Sequence, residues 1–350
     1  MKLKALGEAL RRSSEGEGNK ALWRQVFELI VLMLRSRLGP GFYYLARLDD
    51  KDVPWRVVTG FASVKAYNRA VHRVNDATFY RASQHKAIEK AVLGTYGLPT
   101  PELIAYADPL RGRATDGAAM TTPEAVAQLL DRVAADEEVC FKQAHGWGGE
   151  GFRAARIGSA GELVDLATNE VRNTTNYLRE LFDSSPEGFV IERFVAQHEF
   201  YSKLNPTSIN SFRILIHDSP DVESSWIYAF LRVGRSGALV DNATSGAIIF
   251  PVDPVAKCLQ TGFVKYGPRI TYAVHPDSGV ELSGVRPPDF DAAVSLALDA
   301  VRAFPGITFA GVDVAMAADG PRILELNVWP DYAGFAYCQV PSRPSFTARV

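Results

Sequence analysis

The chain has 350 residues and sets 38 lysines and arginines against 40 aspartates and glutamates, for a formal charge of −2, with 47% hydrophobic and 22% charged residues. That balance excludes a disordered or fibrous chain, lacks the basic excess of a nucleic-acid-binding domain and contains no polybasic tract of the kind that holds an anionic membrane. The length allows a large buried core and roughly two or three domains or subdomains of ~100–200 residues each.

Cys140, Cys258 and Cys338 lie far apart and form no C-x-x-C pair, which excludes zinc ribbons and thioredoxin-type redox centres. Isolated cysteines of this kind suit a reducing compartment. The histidines are equally scattered, with no H-E-x-x-H arrangement. An apolar run at residues 26–34 is interrupted by Glu28 and ended by Arg35, well short of the ~20 residues that a membrane span needs. A cytoplasmic protein with no membrane span is expected.

Residues 1–24 are basic and polar, and Ser13-Ser14-Glu15-Gly16-Glu17-Gly18 within them reads as a loop or frayed end. Leu22, Val26, Leu29, Ile30, Met33 and Leu34 recur at helical spacing, predicting an amphipathic helix over 22–38, closed by Gly39-Pro40 and packed on the chain's own core. Residues 42–74 have no clear period. A helix is predicted over 86–97, ended by Gly97-Leu98-Pro99, then a short strand at 103–105. Thr122 before Pro123 opens a helix running to about residue 135. Residues 138–142 alternate as a strand and run into a glycine-rich loop; 162–168 reads as a helix and 189–195 as a β-rich run. Further strands are predicted at 212–217, 226–233, 247–252, 309–316 and 322–328, with a helix at 289–304 that puts Ala293, Leu296 and Ala300 on one face. Strands and helices interleave without strict βαβ repetition, which indicates an α+β fold.

Four stretches carry chemistry. Lys142 ends a strand and leads into Gly146-Trp147-Gly148-Gly149-Glu150-Gly151, where glycines let backbone N–H groups approach an anion without a Cβ in the way. No G-K-[ST] closes the loop and no dinucleotide fingerprint surrounds it; a flexible hairpin tip is the alternative. Asp313, in Gly311-Val312-Asp313-Val314, is followed by Leu324-Glu325-Leu326-Asn327, and Glu325 and Asn327 project to one face of their strand. Carboxylates in apolar runs are costly to bury unless paired or metal-bound, and the oxygens of Asp, Glu and Asn suit a hard cation such as Mg²⁺. A strand with its polar face in solvent is the alternative. Glu192, Arg193, Phe194 and Val195, with Glu199 behind them, read as a strand whose backbone suits an adenine edge and whose carboxylate suits a ribose, the alternative being an exposed glutamate on a solvated face. Arg213, in Asn210-Ser211-Phe212-Arg213, has a guanidinium that matches phosphate oxygens bidentately, the alternative being a surface arginine on an edge strand.

The order of these stretches, phosphate lysine, glycine loop, adenine strand, arginine strand and D…E-x-N set, resembles the ATP-grasp superfamily. Asn210-Ser211-Phe212-Arg213, Asp241-Asn242 before Ser245-Gly246, His275-Pro276-Asp277-Ser278-Gly279 and Gly311-Val312-Asp313 with Glu325-Leu326-Asn327 resemble, within it, the sugar-transfer-associated branch linked to cell-surface polysaccharide biosynthesis. The resemblance implies an ATP-grasp fold, two α+β subdomains clasping ATP, over residues 76–188 and 189–340, with a mainly helical extension at 1–75 and a tail at 341–350. The extension departs from the Rossmann-like domain that precedes many ATP-grasp modules.

By position, the resemblance implies Lys86 and Lys142 on the phosphates, with Lys90 a competitor for Lys86. It implies Gly146, Gly148, Gly149 and Gly151 in the loop over the phosphates, Glu192, Phe194 and Val195 along the adenine, and Glu199 on the ribose. Asp313, Glu325 and Asn327 would hold one or two Mg²⁺, with Mn²⁺ as a substitute. The catalytic set implied is Arg213 and Lys142, with Asn242 and His275, beside Asp241, toward the acceptor; a loop histidine making one structural hydrogen bond is the other reading of His275. The implied activity is ATP-dependent ligation of a carboxylate to an amine through an acyl phosphate. Its alternatives are a kinase acting on a small-molecule or sugar acceptor, and a nucleotide-binding partner of glycosyltransferases without turnover.

Overall fold

The computed structural model describes residues 18–146, 151–159, 161–219, 226–266 and 270–346. The chain opens with four helices, α1 (Leu22–Ser36), α2 (Pro40–Leu45), α3 (Trp55–Thr59) and α4 (Val64–Val74), followed by α5 (Tyr80–Gln84) and α6 (Lys86–Thr95). Then come β1 (Leu103–Ala107), β2 (Arg113–Ala114), α7 (Pro123–Leu130), β3 (Glu138–Gln143), β4 (Arg153–Ile157), β5 (Glu162–Asp165), β6 (Val171–Asn173), α8 (Thr174–Ser184) and β7 (Phe189–Arg193). After α9 (Glu199–Ser202) the chain forms β8 (Ser211–His217), β9 (Trp226–Val233), β10 (Ile248–Pro251), β11 (Gly262–Val264), β12 (Thr271–Tyr272), α10 (Phe290–Arg302), β13 (Phe309–Ala317), β14 (Gly320–Asn327) and α11 (Ala333–Tyr337).

The strands make two antiparallel sheets, ordered β2-β1-β7-β3-β4-β5-β6 and β12-β11-β10-β9-β8-β13-β14. One face of the first sheet is closed by α7 and α8, where Val126, Leu130, Tyr177 and Leu178 pack on Val139, Phe141 and Ile191. The second sheet is covered on one face by α10, whose Ala293, Ala297 and Ala300 meet Ile214, Ile216 and Val312. Its opposite face, at the end carrying Leu215, Tyr228, Phe230 and Phe309, is roofed by the N-terminal helices through Leu32, Tyr43, Phe61 and Tyr67. That roof is the predicted helical extension, and the unplaced stretch 42–74 supplies three of its helices.

Differences from the sequence reading have physical causes. The helix expected at 162–168 is strand β5, too short to nucleate a helix and paired to β4 by Ile157↔Leu163 and Arg156↔Val164. The helix in that region is α8, which Asn173 caps by accepting from the Asn176 amide at 3.1 Å. The helix opened by Thr122, whose hydroxyl accepts from the Ala125 amide at 3.2 Å, stops at Leu130. Strand β7 lies between β1 and β3, so the first sheet extends past the division expected at 188. Finally, α1 faces the reverse way: the core side holds Gln25, Glu28, Leu29, Leu32 and Ser36, and of the six apolar residues that predicted it only Leu29 is buried.

Candidate active site

Strand alternation builds the first wall. Val139 and Phe141 of β3 and Phe189 and Ile191 of β7 point toward α8, so Cys140, Lys142 and Glu192 point the other way, into a cleft between the sheets. Glu192 is 1% exposed, and a carboxylate buried that deeply needs cations. Lys142 Nζ lies 2.7 Å from Oε2, and Lys90 Nζ of α6 lies 3.1 Å from Oε1. Burial alone would raise the Glu192 pKa; the two ammonium groups outweigh it and hold the carboxyl below its usual range. Burial opposes the charge of Lys142 as well, but Glu192 overcomes it and raises that lysine. For Lys90 burial prevails, and its pKa falls. The two candidate lysines thus separate: Lys86 lines the cleft and donates to the Gly146 carbonyl at 3.2 Å, whereas Lys90 is a buried support beneath Glu192 that also donates to the Pro101 carbonyl at 2.9 Å. Burial pushes the Cys140 thiol up to about 12, so it is an inert part of the lining.

The second wall is a row across three strands of the other sheet, in which Asp313 of β13 stands opposite Glu325 of β14 on one side and Arg213 of β8 on the other. Arg213 grips Asp313 bidentately, Nε to Oδ1 and Nη2 to Oδ2 at 2.9 Å. Arg232 of β9 reaches the same carboxylate at 3.3 Å, donates to the Ser211 hydroxyl at 2.6 Å and lies 3.4 Å from Asp241. Asp241 in turn accepts from the Ser211 amide at 2.9 Å. The result is a ladder of alternating charge, Arg213–Asp313–Arg232–Asp241. Burial would raise Asp313, but the two guanidiniums outweigh it and lower it; for Asp241 burial wins over Arg232, and that carboxyl is raised. The sequence reading missed Arg232. Its signal was present: an arginine inside the apolar strand β9, opposite Ser211.

Glu325 faces the cleft and makes no ion pair among the described residues, and Asn327 has a buried amide nitrogen without a hydrogen-bond partner among them. An amide presents oxygen or nitrogen there by a half-turn. Asp313, Glu325 and Asn327 therefore offer hard oxygen donors at one place, and they fit a divalent cation of the Mg²⁺ class; Asp313 is the ligand such an ion would share with Arg213 and Arg232. Among the described residues no three His, Cys, Asp or Glu cluster as a metal site, because the third donor here is an amide.

The cleft is also lined by Phe194, Val195, Asn242 and Gly146. A second pocket, bounded by Arg81, Ser83, Gln84, His145 and Trp329, shares Gly146, Glu325 and Asn327 with it. The two cavities meet at Glu325 and Asn327, two of the three predicted metal residues. Gly151 has φ +67°, and a Cβ there would lie 2.7 Å from Gln143 Nε2, so the loop's far end admits glycine; Gly148 and Gly149 lie outside the described residues. Asn242 accepts from the Thr244 amide at 3.3 Å.

Two predicted residues stand elsewhere. Glu199 begins α9, is 79% exposed, pairs with Lys203 at 2.6 Å and does not line the cleft, which the chain leaves after Val195. His275 is fully buried in the turn after β12, with Nδ1 3.0 Å from the Ser278 hydroxyl. Burial lowers its pKa, and it too lies outside the cleft lining. Its geometry is that of the loop histidine.

A family model described as sugar-transfer associated ATP-grasp matches residues 66–350, which include every residue of both cavities. The chain belongs to this family. Solved structures similar to this ATP-grasp chain include D-alanine–D-alanine ligase from Bacillus anthracis, at 14% identity over 71% of this chain and 57% of that one, with a TM-score of 0.37. They also include N5-carboxyaminoimidazole synthase from Aspergillus clavatus in complex with ADP and 5-aminoimidazole ribonucleotide, at 14% identity over 83% of this chain and 61% of that one, with a TM-score of 0.41. D-cycloserine synthetase matches at 12% identity over 87% of this chain and 93% of that one, with a TM-score of 0.43. The chain spans less than two thirds of the length of the first two. No curated protein matches it.

Proposed function

We propose that this ATP-grasp protein is an ATP-dependent, ADP-forming ligase that joins a carboxylate to an amine through an acyl phosphate. The observation that carries the reading is the meeting of the two cavities at Glu325 and Asn327. A nucleotide in the first cleft and an acceptor in the second would face each other there. Lys86 and Lys142 present cations along one wall, and Arg213 presents one on the other, where charge on a transferring phosphoryl group needs compensation. The amides of Arg193 and Phe194 already donate to the carbonyls of Glu102 and Glu138, at 3.0 and 2.8 Å, so an adenine edge would meet the strand's end at Val195. Asp313, Glu325 and Asn327 would hold Mg²⁺, which when bound neutralises phosphate charge.

In the reaction, a substrate carboxylate oxygen attacks the γ-phosphorus as the bond to ADP breaks. The amine nitrogen then attacks the acyl carbon, phosphate leaves with the C–O bond pair, and the amine loses a proton. Water must be kept from the acyl phosphate, and the glycine-rich sequence beginning at Gly146 starts at the rim where cover is needed. The family's description, sugar-transfer associated, supports a sugar-linked acceptor as our reading, and we assign the protein to cell-surface polysaccharide assembly beside glycosyltransferases.

The test is ³¹P NMR of the protein with Mg²⁺, ATP and pooled amino acids and sugar acids. ADP and free phosphate formed only with a carboxylate and an amine together support the ligase. A new stable phosphoester or phosphoramidate signal would make the protein a kinase, and ATP binding without ADP formation would make it a non-catalytic partner.

A further inference from the structure

The helix α1 is folded inside out. A surface helix normally turns its apolar stripe inward, yet here the inward side carries Gln25, Glu28 and Ser36 with Leu29 and Leu32, while Trp23, Phe27, Ile30, Met33 and Leu34 are each more than half exposed. Leu22 and Val26 extend the same outward face, and Trp55 of α3 continues it, stacked on Phe27 with ring centroids 5.8 Å apart. Specific bonds fix this orientation. The fully buried Glu28 accepts from Lys20 at 3.0 Å, from Arg24 at 3.1 Å and from the Tyr43 hydroxyl at 2.7 Å; Gln25 donates to the Lys20 carbonyl and Ser36 to the Phe61 carbonyl, each at 2.6 Å. Rotating the helix to bury its apolar side would leave these groups without partners, and an unpartnered buried polar group is costly, a carboxylate most of all. The outward face is therefore specified, and a contiguous apolar patch of this kind marks an interaction surface.

Charge decides the occupant. In residues 18–60 four cations, Arg35, Arg37, Lys51 and Arg56, are exposed against the single exposed acid Asp52. Arg24 and Arg35 follow each other at helical spacing along one edge of the stripe. In sequence ahead of α1, residues 1–17 hold Lys2, Lys4, Arg11 and Arg12 against Glu8, Glu15 and Glu17. Beyond the pair Arg11-Arg12 there is no run of consecutive basic residues; among the described residues the exposed cations are separate ones, with Arg35 on α1, Arg37 just after it and Arg56 next to Trp55. A second copy seated there would bring this cationic rim against itself, whereas an anionic surface would complement it. Trp, Phe and Leu on one face with arginines at its margin is the pattern of a helix lying in a lipid interface. We propose that α1 and Trp55 dock the protein on a bilayer bearing anionic head groups, with the apolar face in the head-group layer and the arginines on the lipid charges. This surface is independent of the ligase reading.

The test is flotation of the full-length protein with phosphatidylglycerol–phosphatidylcholine vesicles and with phosphatidylcholine vesicles. Binding to the first and not to the second, weakened by salt, is expected. The double variant Trp23→Glu, Phe27→Glu should keep its melting temperature and lose flotation, and Arg35→Glu and Arg37→Glu should each weaken binding about fivefold or more. Wild-type protein that stays unbound to anionic vesicles overturns the proposal. So does a dimer in solution that the double variant splits while lipid binding is absent, since the face would then hold a second copy.

Discussion

Glu325 is the carboxylate of the site without an ion pair among the described residues, while Asp313 opposite it is held by two arginines. The two therefore differ in what removal does. On the proposed metal assignment, Glu325→Ala takes away a cation ligand without orphaning a buried partner, so ATP turnover should fall by about 10²–10³-fold, the scale of losing one charge-stabilising group, while the melting temperature moves by a few degrees or less. Phosphate release and thermal melts check this, and an active Glu325→Ala variant sinks the metal assignment. Gly311 tests the neighbouring arginine by sterics alone. A Cβ there would lie 3.0 Å from Pro330 Cβ and 3.1 Å from Arg213 Cδ; the proline ring cannot give way, so Arg213 must. Gly311→Ala should cut turnover about tenfold or more through Arg213 while ATP still binds on the opposite wall, as a titration with a fluorescent nucleotide would report.

At the level of elements, the end of β9 is tied to the turn after β12. Arg235 holds Asp277 bidentately at 2.7 and 2.8 Å, and the Ser236 amide adds a bond at 2.9 Å. The Arg235 hydrogen bonds hold the Asp277 carboxyl well below its usual 3.8. A depressed carboxyl contributes stability that is present above its unfolded value and lost as pH falls through the folded one. Asp277→Asn should therefore cost about 1 kcal/mol near neutral pH, a modest figure because the pair is partly exposed. The difference from wild type should shrink below pH 3.8, as urea melts across pH would show; a constant difference would locate the effect elsewhere. The same level shows what the sequence made legible. Long apolar strands such as β8, β9 and β13 and the periodic helix α10 were readable because period and burial agree along them. Lys142, Arg213, Asp313, Glu325 and Asn327 were readable because each is a polar residue in an apolar run. Helix α1 was misread in orientation because its decisive partners, Lys20, Tyr43 and Phe61, lie outside the helix, two of them in later segments. Arg232 was missed because its value comes from two acids, Asp241 and Asp313, that only sheet register brings to it.

Across the whole molecule, one face of the second sheet changes character along its length. It is polar at Arg213, Arg232, Asp313 and Glu325, and apolar at Leu215, Tyr228, Phe230 and Phe309, where the N-terminal helices cover it. The cover is also a clamp on the strand that carries the site. Asn75, just after α4, donates to the carbonyls of Phe309 and Val328 at 2.7 and 2.9 Å. Tyr67 of α4, 1% exposed, donates to the Pro330 carbonyl at 2.6 Å and packs on Tyr332 and Phe335. Trp329, on the wall of the second pocket, lies between these holds and donates to Asn68 at 3.3 Å. The extension thereby positions the segment that follows Glu325 and Asn327. Tyr67→Phe keeps the ring and removes one buried donor, leaving the Pro330 carbonyl unsatisfied, which should cost about 1–3 kcal/mol in denaturant melts. Because the loosened segment borders the second pocket, turnover should fall more than ATP affinity does. A variant that loses stability but keeps full turnover would reduce the extension to a lid on the core; one that loses turnover while ATP still binds normally would place it in the architecture of the second pocket.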